Sequence, residues 1–267
     1  MNQALPWLLG LALAILVAWG IRHFRHEAAQ QDQAYAQGAA TRGWRYARNP
    51  SFLSTPNAPP NDDNRGEAED IAWTFHGGRD GLAWRMWFDA GLRERPPTPR
   101  AVWHCEALRA AGIAVWIVGR GRYRRETDAV VGAIEGATDA VSRAITGTAR
   151  TDSLRAFRER AVPVAATRPG FDEAYVALAG PEMPADWLDD ETQRLLMDWS
   201  AALPAGADPE AIEVTLDAQG LRVVYQAPPK DAWAFWDQFG RLGEVLLRRL
   251  ARDAANPAYP AANPGKR

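Results

Sequence analysis

The densest group of functional side chains is four arginines within six positions: Arg120, Arg122, Arg124 and Arg125. A guanidinium group is a planar fork that pairs with phosphate or carboxylate through two N–H donors. This group therefore predicts a contact with an anionic ligand or a lipid headgroup. The alternative is a solvated loop, in which the arginines pair with neighbouring acids such as Glu126 and Asp128.

Residue types used by hydrolases and dehydrogenases form no coherent set in this chain. The segment 76–78 (HGG) is similar to the backbone-donor loop of esterases, but the Gly-x-Ser-x-Gly elbow of those enzymes is absent, which favours a hairpin turn. The segment 119–121 (GRG) lacks the third glycine of a dinucleotide loop, because Arg124 stands there. His104 and Cys105 are neighbours and would point to opposite faces of a strand, so Cys105 is expected to be a small buried residue.

Metal ligands are sparse. The single cysteine excludes an intrachain disulfide and a thiolate metal site within one chain. Of the four histidines, only His23 and His26 are closely spaced, and they lie beside an apolar stretch. One acidic group could suggest a divalent cation: Asp186, Asp189, Asp190 and Glu191. Because acids cap and stabilise the start of a helix, we interpret that group structurally and expect neither a metal nor a cofactor.

The elements that would position these side chains follow from the apolar spacing. Alternating apolar residues at 71–88, around a glycine-rich break at 76–81, predict a β-hairpin. Two further strands are expected at Ala101–Leu108 and Ile113–Val118, which would extend an antiparallel meander. The arginines would then lie in a loop at 119–126. A three- and four-residue period predicts an amphipathic helix over about 128–146.

The last third mixes strands and helices in the same way. We expect a strand at Phe171–Leu178, a helix capped by Asp189 and a second hairpin over 212–225. A long helix is expected to begin at Asp231. Five of its residues share one apolar face: Phe235, Phe239, Leu242, Leu246 and Leu250. Near its start, Trp233 and Trp236 are candidates for core packing or for anchoring a partner. The fold class is therefore α+β, with antiparallel hairpins and a meander packed against long amphipathic helices.

An uncharged stretch from Leu5 to Ile21 precedes these elements. As a helix it would span roughly 26 Å, near the lower limit for crossing a bilayer core, so we expect one N-terminal transmembrane helix. A cleaved signal peptide would need the basic start that residues 1–4 lack, and a buried core helix is the other alternative. The basic residues from Arg22 onward predict a cytoplasmic body on a bacterial inner-membrane anchor.

The expected organisation is an anchor at 1–24, a polar helical stalk at 25–42, a sheet-plus-helix lobe at 43–160, an α+β lobe at 161–255 and a disordered tail at 256–267. The two lobes could form one continuous domain or two. A net charge of −2 over 267 residues provides no basic field for nucleic acid.

These features predict a non-enzymatic inner-membrane protein whose body serves as a protein-interaction or accessory module. The alternative function is a sensor of an anionic ligand or lipid headgroup at Arg120–Arg125. From Phe171 to the last helix, the layout resembles that of bacterial proteins with one N-terminal membrane helix and an α+β body. The likeness contains no diagnostic motif and implies no activity.

Overall fold

Nine strands form one antiparallel sheet in the computed structural model, which describes residues 4–48, 71–90, 98–124, 154, 156–183, 187–201, 203, 208, 211–226, 228 and 233–254. In chain order the strands are β1 (Arg45–Arg48), β2 (Ile71–Arg79), β3 (Leu82–Asp89), β4 (Arg100–Cys105), β5 (Val115–Gly119), β6 (Val162–Pro163), β7 (Tyr175–Ala179), β8 (Ile212–Asp217) and β9 (Gly220–Gln226). Their order across the sheet is β1-β2-β3-β4-β9-β8-β5-β7-β6. Together with the helices, this sheet confirms the mixed α+β class.

Within the described ranges, three long helices accompany the sheet: α1 (Ala4–Ala40), α2 (Asp190–Ala201) and α3 (Trp233–Ala254). The helix α3 lies against β4 and β9 and buries the predicted stripe: Phe235, Phe239, Leu242, Leu246 and Leu250. The helix α2 packs on α3, with the ring of Trp199 5.4 Å from that of Phe235. Asp189 caps α2 as predicted, because its carboxylate accepts from the backbone N–H of Thr192 at 2.9 Å.

The first hairpin joins β2 to β3, as the alternating residues predicted. Its turn is shorter than the glycine-rich segment, because only Asp80 (φ 52°) and Gly81 (φ 80°) leave the strand conformation. Positive φ at two successive residues is typical of the tight turns that join twisted strands. The prediction that 76–78 form the turn is therefore wrong. These residues belong to β2, where the Trp84 indole covers Gly77 so closely that a Cβ would overlap it.

The predicted meander breaks down after β4. The strands β4 and β5 do not pair, because the predicted second hairpin, β8–β9, lies between them. Every residue of β5 is buried, and so are the first five residues of β8. Strands buried on both faces belong in the middle of a sheet, where each needs a neighbour on either side. Proximity in the chain therefore did not determine which strands pair with β4 and β5 on this side of the sheet.

Other predictions differ in detail. Residues Phe171–Ala174 form a helical turn after Gly170 (φ 79°), and only Tyr175–Ala179 are extended, so the predicted strand at Phe171–Leu178 begins too early. Residues 120–124 are helical rather than a loop. The predicted helix at 128–146, Arg125, Asp186 and the tail from Asn256 lie outside the described residues.

The helix α1 runs without interruption for 37 residues, and its last two turns belong to the core. Tyr35 is 7% exposed and lies 5.2 Å from the Trp73 ring, while Ala39 is fully buried. Arg42, just beyond the helix, forms an ion pair with Asp237 of α3. Thus the segment predicted as a polar stalk is helical to Ala40 and ends inside the folded body.

The predicted transmembrane anchor is not found as such in the structure. Among the residues whose side chains are described, no helix is both long and apolar enough to cross a membrane. The backbone of Leu5–Ile21 is helical, but most of its side chains lie outside the described set. The anchor therefore stays a prediction.

Candidate functional site

The sheet has one face covered by helices and a second that carries a line of cationic and titratable side chains. Phe75, Met86 and Trp103 point to the helix-covered face and are fully buried. Because side chains alternate along a strand, the residues next to them point the other way, to what we term the polar face. Five residues in directly opposed positions of β1, β2, β3, β4 and β9 form what we term the cationic row: Arg45, His76, Arg85, His104 and Arg222.

His104 is buried in this row, since it is only 8% exposed. Its Nε2 lies 3.0 Å from the carbonyl oxygen of Gln219, which can only accept, so Nε2 carries the proton and donates it. Its Nδ1 lies 4.0 Å from a carboxylate oxygen of Glu106. Burial lowers the pKa of His104, and the charges of Arg85 and Arg222 lower it further, against the Gln219 hydrogen bond and Glu106. The neutral ring is therefore favoured.

His76 has no such compensation. Burial lowers its pKa, and the flanking guanidiniums of Arg45 and Arg85 act in the same direction. Its neighbour Arg85 donates from Nη2 to Glu106 at 2.9 Å, and its guanidinium lies 5.0 Å from the centre of the Trp87 ring. The Nε–H of Arg85 is buried and finds no acceptor in the described part of the chain. The row thus combines positive charge with donors that are not satisfied.

Acid is expected to destabilise the protein through these two histidines. In the unfolded chain an imidazole titrates near 6.5, whereas His76 and His104 have lowered pKa values when folded. As pH falls through 6.5, the unfolded state binds protons first, so the free energy of unfolding decreases. Urea denaturation at a series of pH values between about 8 and 5.5 should show this slope.

The matched variant is His104→Gln, whose amide nitrogen can replace Nε2 as donor to Gln219 without titrating. It should flatten the slope, and a further His76→Gln change should flatten it more. Glu244, whose pKa is raised by burial, acts in the opposite direction and is common to all variants. An unchanged slope in the double variant would show that other groups cause the pH dependence.

One member of the predicted arginine group, Arg122, is paired with an acid in the described part of the chain. Arg122 turns toward the sheet and donates from Nη2 to Glu213 at 2.7 Å, and this pair is buried. The indole Nε1 of Trp116 donates to the other oxygen of Glu213 at 3.2 Å. Arg120 is half-buried and Arg124 is exposed. Arg122 therefore pairs with an acid distant in sequence, and anion binding by this group stays a prediction.

The remaining candidates lie where structural roles place them. Cys105 is a buried thiol on the helix-covered face, opposite His104, and burial raises its pKa. Asp189 caps α2, and Asp190 pairs with Arg168 at 3.2 Å. Within the described ranges, no group of three or more His, Cys, Asp or Glu residues could hold a metal ion.

Sequence reasoning missed the cationic row. Its members come from five strands, and only the register of those strands brings them into line. Polar residues at alternate positions, such as His76 in β2 and Arg85 in β3, were the available signal for a face without a helix. The order of strands, which makes β9 the neighbour of β4, could not be read from the same pattern.

A groove of about 240 Å³ lies between α2 and α3 on the other side of the molecule. Apolar side chains, among them Leu195 and Trp199, share its lining with charged residues of both signs: Glu191, Arg194, Asp198 and Arg241. An apolar floor within a charged rim is the usual composition of a protein-binding surface.

Comparison of the whole chain with protein-family models, curated proteins and solved structures gives no match.

Proposed function

We propose that this chain is a single-pass membrane protein whose α+β body binds a protein partner and carries out no catalysis. The observation that carries the proposal is the continuity of α1. The helix begins within the apolar segment and ends among the buried aromatic residues of the body. A helix of this kind couples an anchor to a folded body without a flexible joint.

The described part of the apolar segment supports an anchor. Leu16 and Trp19 are each 63% exposed, although both are large apolar residues. The Trp19 ring stacks on His23, with centroids 5.3 Å apart, and Arg22 is also exposed. A tryptophan next to basic residues is typical of the membrane–water interface. Insertion of residues 5–21 would remove this apolar surface from water.

The attachment of α1 to the body would fix the distance between the body and the membrane. From Ile21 to Tyr35 the helix rises by roughly 20 Å. Asp32 accepts from the Tyr46 hydroxyl at 2.7 Å and pairs with Arg48. The Arg42 guanidinium lies 4.5 Å from the Trp233 ring. With α1 held in this way, the groove between α2 and α3 would lie at a fixed distance from the membrane surface.

The anchor is tested by placing a charge at its centre. Leu13→Arg should cost about 2.5–3.5 kcal/mol of insertion free energy, since arginine is costly at the middle of a bilayer. We expect this variant to move from the membrane pellet to the supernatant after an alkaline wash, while Leu13→Phe stays in the pellet. If Leu13→Arg remains in the membrane, residues 5–21 do not anchor the chain.

Partner binding is tested by photocrosslinking in native membranes. A photoreactive residue replacing Arg241, on the rim of the groove, should give one discrete adduct with another protein. The same residue at Arg109, exposed beyond the end of β4, serves as the matched control and should give none. Equal labelling from both positions, or no adduct from Arg241, would count against a partner in the groove.

A further inference from the structure

The polar face carries a second feature that the proposed function does not use. We propose that Arg45, His76 and Arg85 form a binding site for a phosphate-type oxyanion, which we term the oxyanion site. It is distinct from the Arg120–Arg125 group and does not depend on partner binding. Three neighbouring strands supply it, one residue each, in directly opposed positions.

The spacing of these residues suits a single small anion. Adjacent strands lie about 4.8 Å apart, so the Cα atoms of Arg45 and Arg85 are roughly 10 Å apart, with His76 between them. Arginine side chains are long enough to reach from both sides over the central imidazole. An anion above His76 would therefore receive donors from three directions.

The charges favour an anion at this position. Within the described residues, the positive charges of Arg45 and Arg85 act on the His76 ring, and both disfavour a positive charge there. One carboxylate, that of Glu106, offsets the guanidinium of Arg85. Two guanidinium charges thus face one carboxylate, which leaves positive potential around a neutral imidazole.

The donors are also available. Arg45 is exposed, and within the described part of the chain neither its side chain nor that of His76 makes a hydrogen bond or an ion pair. The Arg85 side chain is 42% exposed, and its ion pair with Glu106 uses Nη2. The exposed part of this guanidinium can contact an anion, whereas its Nε–H is buried.

The chemistry selects an oxyanion with several acceptor oxygens. A carboxylate is planar and best satisfied by one fork, whereas a phosphate accepts from separate directions. The phosphate could be free in solution or part of a lipid headgroup. Both sources present the same oxygen atoms to the three donors.

The test follows His76 directly. The chain has four histidines, so carbon-13 labelling at the imidazole Cε1 atom gives four signals, and His76→Gln identifies that of His76. Titration of the full chain with inorganic phosphate in a neutral detergent should shift this signal to saturation. Arg45→Gln should weaken binding about tenfold or more, because it removes a charged donor.

The matched control is Arg160→Gln, which makes the same charge change at an exposed position just before β6, the edge strand at the opposite end of the sheet from β1. It should alter the dissociation constant less than about twofold, since exposed charges far from the site are screened. Equal weakening by Arg160→Gln and Arg45→Gln would overturn the proposal, because it would indicate a general charge effect. Unshifted signals of the other histidines would show that Arg45→Gln is folded, and Arg45→Lys, which keeps the charge, should bind with intermediate affinity.

A second experiment, in lipid bilayers, distinguishes a lipid headgroup from a soluble anion. The chain is reconstituted in nanodiscs of phosphatidylcholine alone, or of equal parts phosphatidylcholine and phosphatidylglycerol. A shift of the His76 signal by phosphatidylglycerol without added phosphate assigns the site to a headgroup, whereas a shift by phosphate alone assigns it to a soluble anion. If neither probe moves the signal, no oxyanion site exists here.

Discussion

Replacement of Glu213 by alanine is expected to lower the free energy of unfolding by about 3–5 kcal/mol, the range for breaking a buried ion pair. The side chain of Glu213 is 6% exposed and that of Arg122 is 16% exposed. Without the carboxylate, the guanidinium of Arg122 would lose its partner at 2.7 Å in a poorly solvated position. Trp116 would also lose the acceptor of its indole N–H. The effect can be measured by urea denaturation in mild detergent, followed by far-UV circular dichroism.

Two comparisons show whether burial causes this loss. Arg168→Ala breaks the more exposed pair with Asp190 and should cost only about 0–1 kcal/mol. The double variant Glu213→Leu/Arg122→Met removes both charges and should recover part of the stability, because two uncharged side chains need no ionic partner. If Glu213→Ala costs no more than Arg168→Ala, the pair is solvated and the argument from burial fails.

The Glu213 pair also shows where a sequence stops being informative. Glu213 alternates with Ile212 and Val214, so the pattern assigns it to a solvent-facing side of a hairpin. The prediction of the hairpin itself is confirmed, because period-two spacing and a turn are local features. Burial of Glu213 depends on β5 as a neighbour and on Arg122, 91 positions away along the chain. No spacing rule relates such distant residues.

The same limit explains the correct and the incorrect predictions elsewhere. The apolar stripe of α3 and the Asp189 cap of α2 are confirmed, because each is set within a few turns of one helix. The meander is wrong after β4, because pairing between β4 and β9 depends on contacts between the two halves of the chain. Four members of the cationic row lie on β1 to β4, whose pairing is local, and only Arg222 depends on the pairing of β9 with β4. The local members were missed because the exact register, which sets His76 opposite Arg45 and Arg85, could not be read from alternating residues.

Trp103→Ala is expected to destabilise the protein by about 3–5 kcal/mol, the cost of removing a buried tryptophan. Trp103 is fully buried at the centre of the helix-covered face, with its ring 5.8 Å from that of Trp84. Gly243 of α3 lies so close to the indole that a Cβ at that position would overlap it. The helix therefore approaches the sheet at a residue without a side chain, and alanine at position 103 would leave a cavity beneath it.

This contact predicts a specific rescue. Gly243→Leu alone should be destabilising, because overpacking a filled core costs about 1–3 kcal/mol. Combined with Trp103→Ala, the leucine would point into the vacated space and restore part of the lost packing, and removing glycine from a helix adds about 1 kcal/mol. The two changes should thus be strongly non-additive in urea denaturation followed by far-UV circular dichroism.

Trp103→Phe separates packing from hydrogen bonding. The indole N–H of Trp103 is buried and finds no acceptor among the described residues. Phenylalanine removes that donor and keeps most of the ring, so its cost should be well below that of alanine. If the double variant is no more stable than the sum of its single changes predicts, α3 does not pack on the sheet through Gly243 and Trp103. The closest contact between α3 and the sheet would then lie at other residues.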